Sequence, residues 1–341
     1  GKARFVGEDT VEIDGEGQFQ ANHFLIATGA KPRTIDVPGS EYLTDSTEFM
    51  RLDALPERIL FIGGGFISFE FGHIAARAGS EVCMIDRGER PLKGFDADLV
   101  ERLVARGEEV GVQLRRRTSL KSIKKDGTDF LVTVETGSET KDLRADLVVQ
   151  GAGRVAAIDQ LDLAAANVEA GDKGVAVNAY LQSTSNPKIY AAGDAADTQD
   201  APLTPVAVFE GKVAASNMLK GNRTKPDYSG VPSAVFTVPE LTRVGMLEQD
   251  AREAGHDIRV VENDTGDWYS NLRVGESCAA TKVIIDKDSD TILGAHLLGP
   301  EYGEIINFFG LAIRLGLTTS DLKKMVSVYP SVGSDLGSML S

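Results

Sequence analysis

The residues of this chain whose spacing can do chemistry are three consecutive glycines, Gly63-Gly64-Gly65, then Ser68, then Asp86 at 23 residues after Gly63. Gly63 permits a tight turn, Gly65 lets backbone approach a phosphate, and the small Ser68 lets a following helix pack close to a strand. Asp86 stands where a ribose-facing side chain is expected. Together they offer backbone N–H groups at a helix N-terminus, a seat for a dinucleotide pyrophosphate. The elements that must position them are legible nearby. An apolar run at 59–62 leads into the glycines, an amphipathic stretch at 66–78 follows, and a second apolar run at 82–85 ends on Asp86-Arg87. This is a strand–turn–helix–strand layout. The competing reading is a purely structural glycine turn; both flanking strands and the spaced acid favour the nucleotide.

A length of 341 residues suggests two or three domains with ample core. A formal charge of −15 and a pI near 4.8 argue against nucleic acid or an anionic membrane as the main partner. No apolar run approaches the roughly 20 residues that span a bilayer. The first residues carry no signal-peptide pattern, so a cytoplasmic location is the default expectation. Cys83 and Cys278 are the only cysteines and stand far apart, which leaves no CxxC, zinc or disulfide pattern. Cys83 falls in an apolar strand run and reads as core.

Along the chain, short strand-like pieces occupy 3–24, with Gly15 and Gly17 at the turns. An apolar run at 24–27 stops at Thr28-Gly29. The nucleotide unit continues through a helix at 96–110, a strand-rich excursion at 112–149 and the closing segment LVVQGAGR. A strand pair precedes KIYAAGDAAD, another apolar run ending in Gly193-Asp194, and a helix-like stretch runs from about Thr204 to Leu219. Residues 222–230 read as a linker. The remainder has strands and then a helix in which Ile305, Ile306, Phe309, Ala312 and Ile313 keep helical spacing.

Seven ordered motifs carry a resemblance: ATG (27–29), IGGGFISFEFG (62–72), GAGR (151–154), YAAGDAAD (190–197), LTPVA (203–207), VFTVPELTRVG (235–245) and ILGAHLLGP (292–300). Over essentially its whole length the chain resembles the pyridine nucleotide–disulfide oxidoreductases, with glutathione-reductase-like and dihydrolipoamide-dehydrogenase-like members nearest. The resemblance implies an α/β fold with two Rossmann-like FAD/NAD(P)-binding domains, the first incomplete, plus a C-terminal α+β dimerisation domain. The expected boundaries are 1–53 for the C-terminal portion of the first half of the FAD domain, 54–165 for the NAD(P) domain, 166–229 for the second part of the FAD domain, and 230–341 for the interface. It also implies a homodimeric flavoenzyme in which NAD(P)H passes hydride to FAD, and the flavin reduces a cysteine pair that then reduces a small-molecule disulfide. Thr28 and Gly29 match a loop near FAD. Gly193 and Asp194 match the motif that holds the ribityl chain, and Thr204-Pro205-Val206 match a segment beside the flavin ring. Gly63, Gly65, Phe66 and Ile67 match the NAD(P) turn. Glu70 matches an acid that helps hold the nicotinamide amide, and Gly153 lines the nicotinamide pocket. Read alone, Asp194 could be a plain turn residue and Glu70 a helix-surface acid.

The chain departs from the family in two places. The family's own FAD-binding GxGxxG and its CxxxxC pair, which precede the matched region, do not appear in this sequence. The expectations are therefore a fragment that binds FAD weakly or not at all and does not complete disulfide reduction. The family's His-Pro-Thr with a following Glu is replaced by Tyr329-Pro330-Ser331-Val332-Gly333-Ser334-Asp335. A phenol with an ordinary pKa near 10 can donate a proton but is a poor base, unlike an imidazole near 6.5. Tyr329 is either an acid to a leaving thiolate or a tyrosine simply packed near the C-terminus. Mercuric reductases in the family use a tyrosine together with C-terminal cysteines, and this tail has no cysteine, which speaks against mercury reduction.

Asp86 suits the ribose hydroxyls of NADH. Arg87 and Lys93, with Arg90 nearby, match positions that bind the 2′-phosphate of NADPH. The reading leans to NADPH with dual use open, against solvated surface charges. The four histidines show no metal-ligand spacing. Arg115-Arg116-Arg117 reads as a solvated strand end, and Trp268-Tyr269 with Arg273 as packing or interface residues. Two alternatives stand beside the disulfide reductase: a non-catalytic nucleotide-binding dimeric fragment, and an NAD(P)H oxidase or diaphorase.

Overall fold

A computed structural model describes residues 1–198 and 202–341. The chain divides into two units, residues 1–33 with 154–228, and residues 34–153 with 229–341.

In the first unit, Ala3–Gly7, Thr10–Ile13 and Gly17–Gln20 form an antiparallel meander. Gly15 and Gly17 take positive φ at its second turn (80° and 98°), as the sequence suggested. The strand Phe24–Ile26 pairs in parallel with Ile189–Ala191, so that Ile26 faces Ala191 across the ladder. Ala30–Pro32 pairs antiparallel with Arg154–Ala156. Phe5, Ile26, Val175, Ile189 and Ala191 are buried in one cluster. The helix Thr204–Lys220 buries Val206, Glu210, Val213, Ala214 and Asn217, a stripe at helical spacing.

In the second unit the glycine turn belongs to a four-stranded parallel sheet. Its strand order is Leu147–Gln150, Arg58–Ile62, Glu81–Ile85, Val112–Arg115. The helices Phe66–Arg77 and Ala97–Glu109 make the crossovers that parallel strands require. The strand-rich excursion is a three-stranded antiparallel sheet, Thr118–Asp126, Asp129–Thr136 and Glu139–Ala145. Residues 231–341 supply a five-stranded antiparallel sheet, with the helix Tyr302–Leu315 packed on it. One apolar cluster joins Phe69, Leu99 and Leu103 to Val235, Leu241 and Leu298, which is why these two stretches form a single unit. The α/β class, with a parallel nucleotide-type sheet and an antiparallel C-terminal sheet, is as expected. Among the described residues no helix is long and apolar enough to cross a membrane.

Candidate functional site

In the second unit the glycine turn opens from the C-terminal end of strand Arg58–Ile62. Gly63 has φ 107°, and a Cβ there would lie 2.5 Å from the Gly151 carbonyl oxygen, so only glycine fits. Gly65 is the N-cap of helix Phe66–Arg77, without a side-chain cap. A Cβ on Gly65 would meet only the Gly151 oxygen, at 3.8 Å, and one on Gly153 would meet nothing within 4 Å. Both glycines therefore border open space, where a phosphate or nicotinamide can approach the backbone. Gly63, Gly65, Phe66, Ile67 and Gly153 gather at this turn. Ser68 is fully buried beneath it, and a Cβ on Gly151 would come within 2.1 Å of its hydroxyl oxygen. The close packing that the small residue allows is thus against the GAGR turn.

Asp86 ends the next strand. Its carboxylate accepts the Gly88 N–H at 3.2 Å and lies against Gly64. The loop that follows folds back over the glycines, with the Leu92 N–H donating to the Gly64 carbonyl at 2.9 Å. This brings Lys93 beside Asp86: the Lys93 Cε and the Asp86 carboxylate both lie over Gly88. Arg87 and Lys93 are exposed, whereas Arg90 donates to the Lys93 carbonyl. Arg116 and Arg117 pair with Glu101 and Glu89, in keeping with a solvated strand end.

Glu70 is half-buried on the same helix and accepts the Phe236 N–H at 2.9 Å. Burial pushes its carboxyl above the ordinary 4.5, and the Phe236 bond partly opposes this. His73, one turn on, is buried, with the Val238 backbone as a polar partner. Burial, with Arg77 adding to it, pushes His73 down to about 4. This histidine is a core group.

Tyr329 lies exposed near the C-terminus, its ring stacked on Tyr269 at 6.3 Å between centroids. Trp268 packs on the C-terminal core, and Arg273 pairs with Glu301 at 4.0 Å. Cys83 is half-buried and burial raises its thiol pKa; burial raises that of Cys278 to about 11. Both are poor nucleophiles at neutral pH.

In the first unit, Thr28-Gly29 and Gly193-Asp194 leave the C-terminal ends of two neighbouring parallel strands, where α/β sheets bind ligands. Gly29 has φ 69° and its carbonyl accepts the Ala157 N–H; Gly193 has φ 65°. Beside them is a cavity of about 470 Å³ whose described lining includes Arg33, Arg154, Lys173, Gly193, Asp194 and Glu210. The helix Thr204–Lys220 begins at its wall, with Leu203 and Val206 in the lining and no side-chain cap on its first turn. Thr28, Gly29, Thr204 and Pro205 flank the lining rather than join it. The described lining carries three cations, Arg33, Arg154 and Lys173, and four acids, Asp172, Asp194, Asp197 and Glu210. Cations and an uncapped helix start suit a phosphate, and carboxylates accept from sugar or ribityl hydroxyls, so these residues fit a flavin nucleotide. Glu210 was missed in the sequence; its signal was an acid on the stripe that also carries Val206, Val213 and Ala214.

The family model of the pyridine nucleotide-disulphide oxidoreductases matches residues 1–211, and the model of that family's dimerisation domain matches residues 231–339. The chain is 50% identical over 180 residues to an uncharacterized 19.7 kDa protein in a mercuric resistance operon of Staphylococcus aureus, covering 53% of this chain and 100% of that one. It is 34% identical over 340 residues to a mercuric reductase of Bacillus cereus, covering 98% of this chain and 53% of the relative, so it spans about half that relative's length. Among solved structures, the HOCl-induced flavoprotein disulfide reductase RclA from Escherichia coli superposes with a TM-score of 0.90 at 26% identity, covering 100% of this chain and 78% of that one. The chain belongs to the pyridine nucleotide-disulphide oxidoreductase family.

Proposed function

We propose that this chain is part of a cytoplasmic FAD-dependent NAD(P)H:disulfide oxidoreductase of the glutathione-reductase-like kind, working as a homodimer. The observation that carries the reading is the presence in one chain of two nucleotide-type sites, the Gly63–Gly65 turn and the Gly193–Asp194 cavity. FAD, when bound, accepts a hydride from NAD(P)H and hands two electrons to a cysteine pair, which this chain does not supply. The chain's own residues bind and orient. The 63–65 turn offers N–H groups to the nicotinamide dinucleotide, Glu70 holds the nicotinamide amide, and Arg87 and Lys93 stand where a 2′-phosphate would lie. NADPH is favoured by those two exposed cations, and Asp86 keeps NADH in play through its acceptor oxygens. The role of Tyr329 is to donate a proton to a leaving thiolate.

A second reading is supported by the relative named a mercuric reductase: a soft metal ion in place of the disulfide as terminal acceptor. The test is the visible spectrum of the chain after incubation with excess FAD and desalting, followed by NADPH or NADH, then oxidised glutathione or Hg²⁺. A flavin spectrum bleached by NADPH supports hydride transfer between the two sites and, with no cysteine pair in the chain, favours the oxidase or diaphorase alternative; the acceptor that restores colour separates disulfide, metal and oxygen. A colourless protein that still binds NADPH would overturn catalysis by this chain and leave a nucleotide-binding dimer.

A further inference from the structure

We propose that a hydrogen-bonded chain from Tyr228 through Glu210 to Gly193 positions the Gly193–Asp194 turn, so that Glu210 and Tyr228 are positioning residues for the ligand of the first unit's cavity. The identity of that ligand as a flavin nucleotide rests on the reading above. Glu210 is 0% exposed, an environment that disfavours a carboxyl unless its oxygens are engaged. Both are: Oε2 accepts the Gly193 N–H at 2.7 Å and Oε1 accepts the Tyr228 hydroxyl at 2.7 Å.

The turn has little slack. The preceding Ala192 N–H donates to the Ile26 carbonyl, so the ladder ends there and the Gly193 N–H turns inward to the helix. A Cβ on Gly193 would lie 2.8 Å from that of Ala207, on the same helix as Glu210. Asp194, the next residue, lines the cavity, so the orientation of the Gly193 peptide sets where Asp194 stands.

The other end of the chain is equally anchored. Asn217, seven residues after Glu210 and on the same buried stripe, donates to the Tyr180 and Thr224 carbonyls and accepts the Arg223 and Thr224 N–H groups. The segment leading to Tyr228 is thereby tied to the helix that carries Glu210. Tyr228 is not in the described lining. Its hydrogen bond to Glu210 links it to the cavity.

The experiment uses the whole chain and the variants Glu210→Ala, Glu210→Gln and Tyr228→Phe. Amide hydrogen exchange is read by mass spectrometry over residues 190–196 without ligand, and FAD binding by fluorescence titration. With Glu210→Ala, exchange at Gly193 and Asp194 should rise on the order of tenfold or more, and with Tyr228→Phe severalfold, as expected when a buried hydrogen bond is removed or weakened. Glu210→Gln should restore protection, because its amide oxygen still accepts from Gly193 and its NH₂ can donate to the tyrosine oxygen. FAD affinity should follow the same order, falling about tenfold in the alanine variant. Should the alanine variant fail to fold, Tyr228→Phe and Glu210→Gln carry the test. Unchanged exchange at Gly193, an equal rise across the whole first unit, or FAD binding that is measurable but identical in all variants would overturn the proposal. Local exchange changes in a chain that takes up no FAD would support the positioning chain and reject the flavin reading of the cavity.

Discussion

At the scale of single residues, Glu70 shows how burial turns a helix-surface acid into a titrating group. Its carboxyl is pushed above 4.5 by burial, and the Phe236 N–H offsets only part of that. The folded state therefore holds this proton more tightly than the unfolded chain does. The stability it contributes is present below pH 4.5 and is lost as pH rises through the raised value. Glu70→Gln keeps an acceptor for Phe236 and removes the charge. Its urea midpoint should fall less than that of the unaltered protein between pH 4.5 and 7; parallel pH profiles would show that Glu70 is not the group responsible. Asp86 makes a contrasting case. Its partner, the Gly88 N–H, is two residues away, so its place at the glycine turn follows from local chain geometry.

At the scale of elements, the helix Ala97–Glu109 starts at Asp96, whose Oδ1 accepts the Asp98 and Leu99 N–H groups. Its other oxygen pairs with Lys282 at 3.1 Å, and Lys282 also pairs with Asp98 at 2.6 Å and Glu262 at 3.3 Å. Burial works to lower the Lys282 pKa, but the Asp98 and Asp96 carboxylates more than offset it and the net shift is upward. Lys282 and Asp96 are both buried, whereas Asp98 and Glu262 are exposed. Lys282→Ala should therefore strand Asp96, costing about 3–5 kcal/mol in urea unfolding. A loss below about 1 kcal/mol would mean that water reaches Asp96 once the lysine is gone. The helix itself was legible in the sequence, at 96–110 against the observed Ala97–Glu109. Its ionic clasp was not, because Lys282 and Asp98 are 184 positions apart.

At the scale of the molecule, the helix Tyr302–Leu315 buries Tyr302, Ile305, Ile306, Phe309 and Ala312 and leaves Phe308, Leu311 and Leu315 exposed on another face. Val326 and Val328 are also exposed, at 98% and 79%. Apolar surface of this extent on the dimerisation-domain segment fits a second copy as its cover. The double variant Leu311→Asp with Leu315→Asp should shift the protein from dimer to monomer in sedimentation velocity, with the far-UV circular dichroism retained. A protein that already sediments as a monomer would remove the homodimer from the proposed function.

The sequence by itself determined the glycine turn, its flanking strands and helix, the acid at Asp86 and the order of the family motifs. Each depends on residues near one another along the chain: a turn needs positive φ, a helix needs its spacing, and a strand needs its apolar run. Only the tertiary structure decided that Ser68 packs under Gly151, that Lys282 reaches Asp96, and that Glu210 joins Tyr228 to Gly193. In each case the chain must fold back on itself before a polar or small group finds its partner. The need for that partner arises from burial, which a sequence pattern marks only as one polar letter on an apolar face.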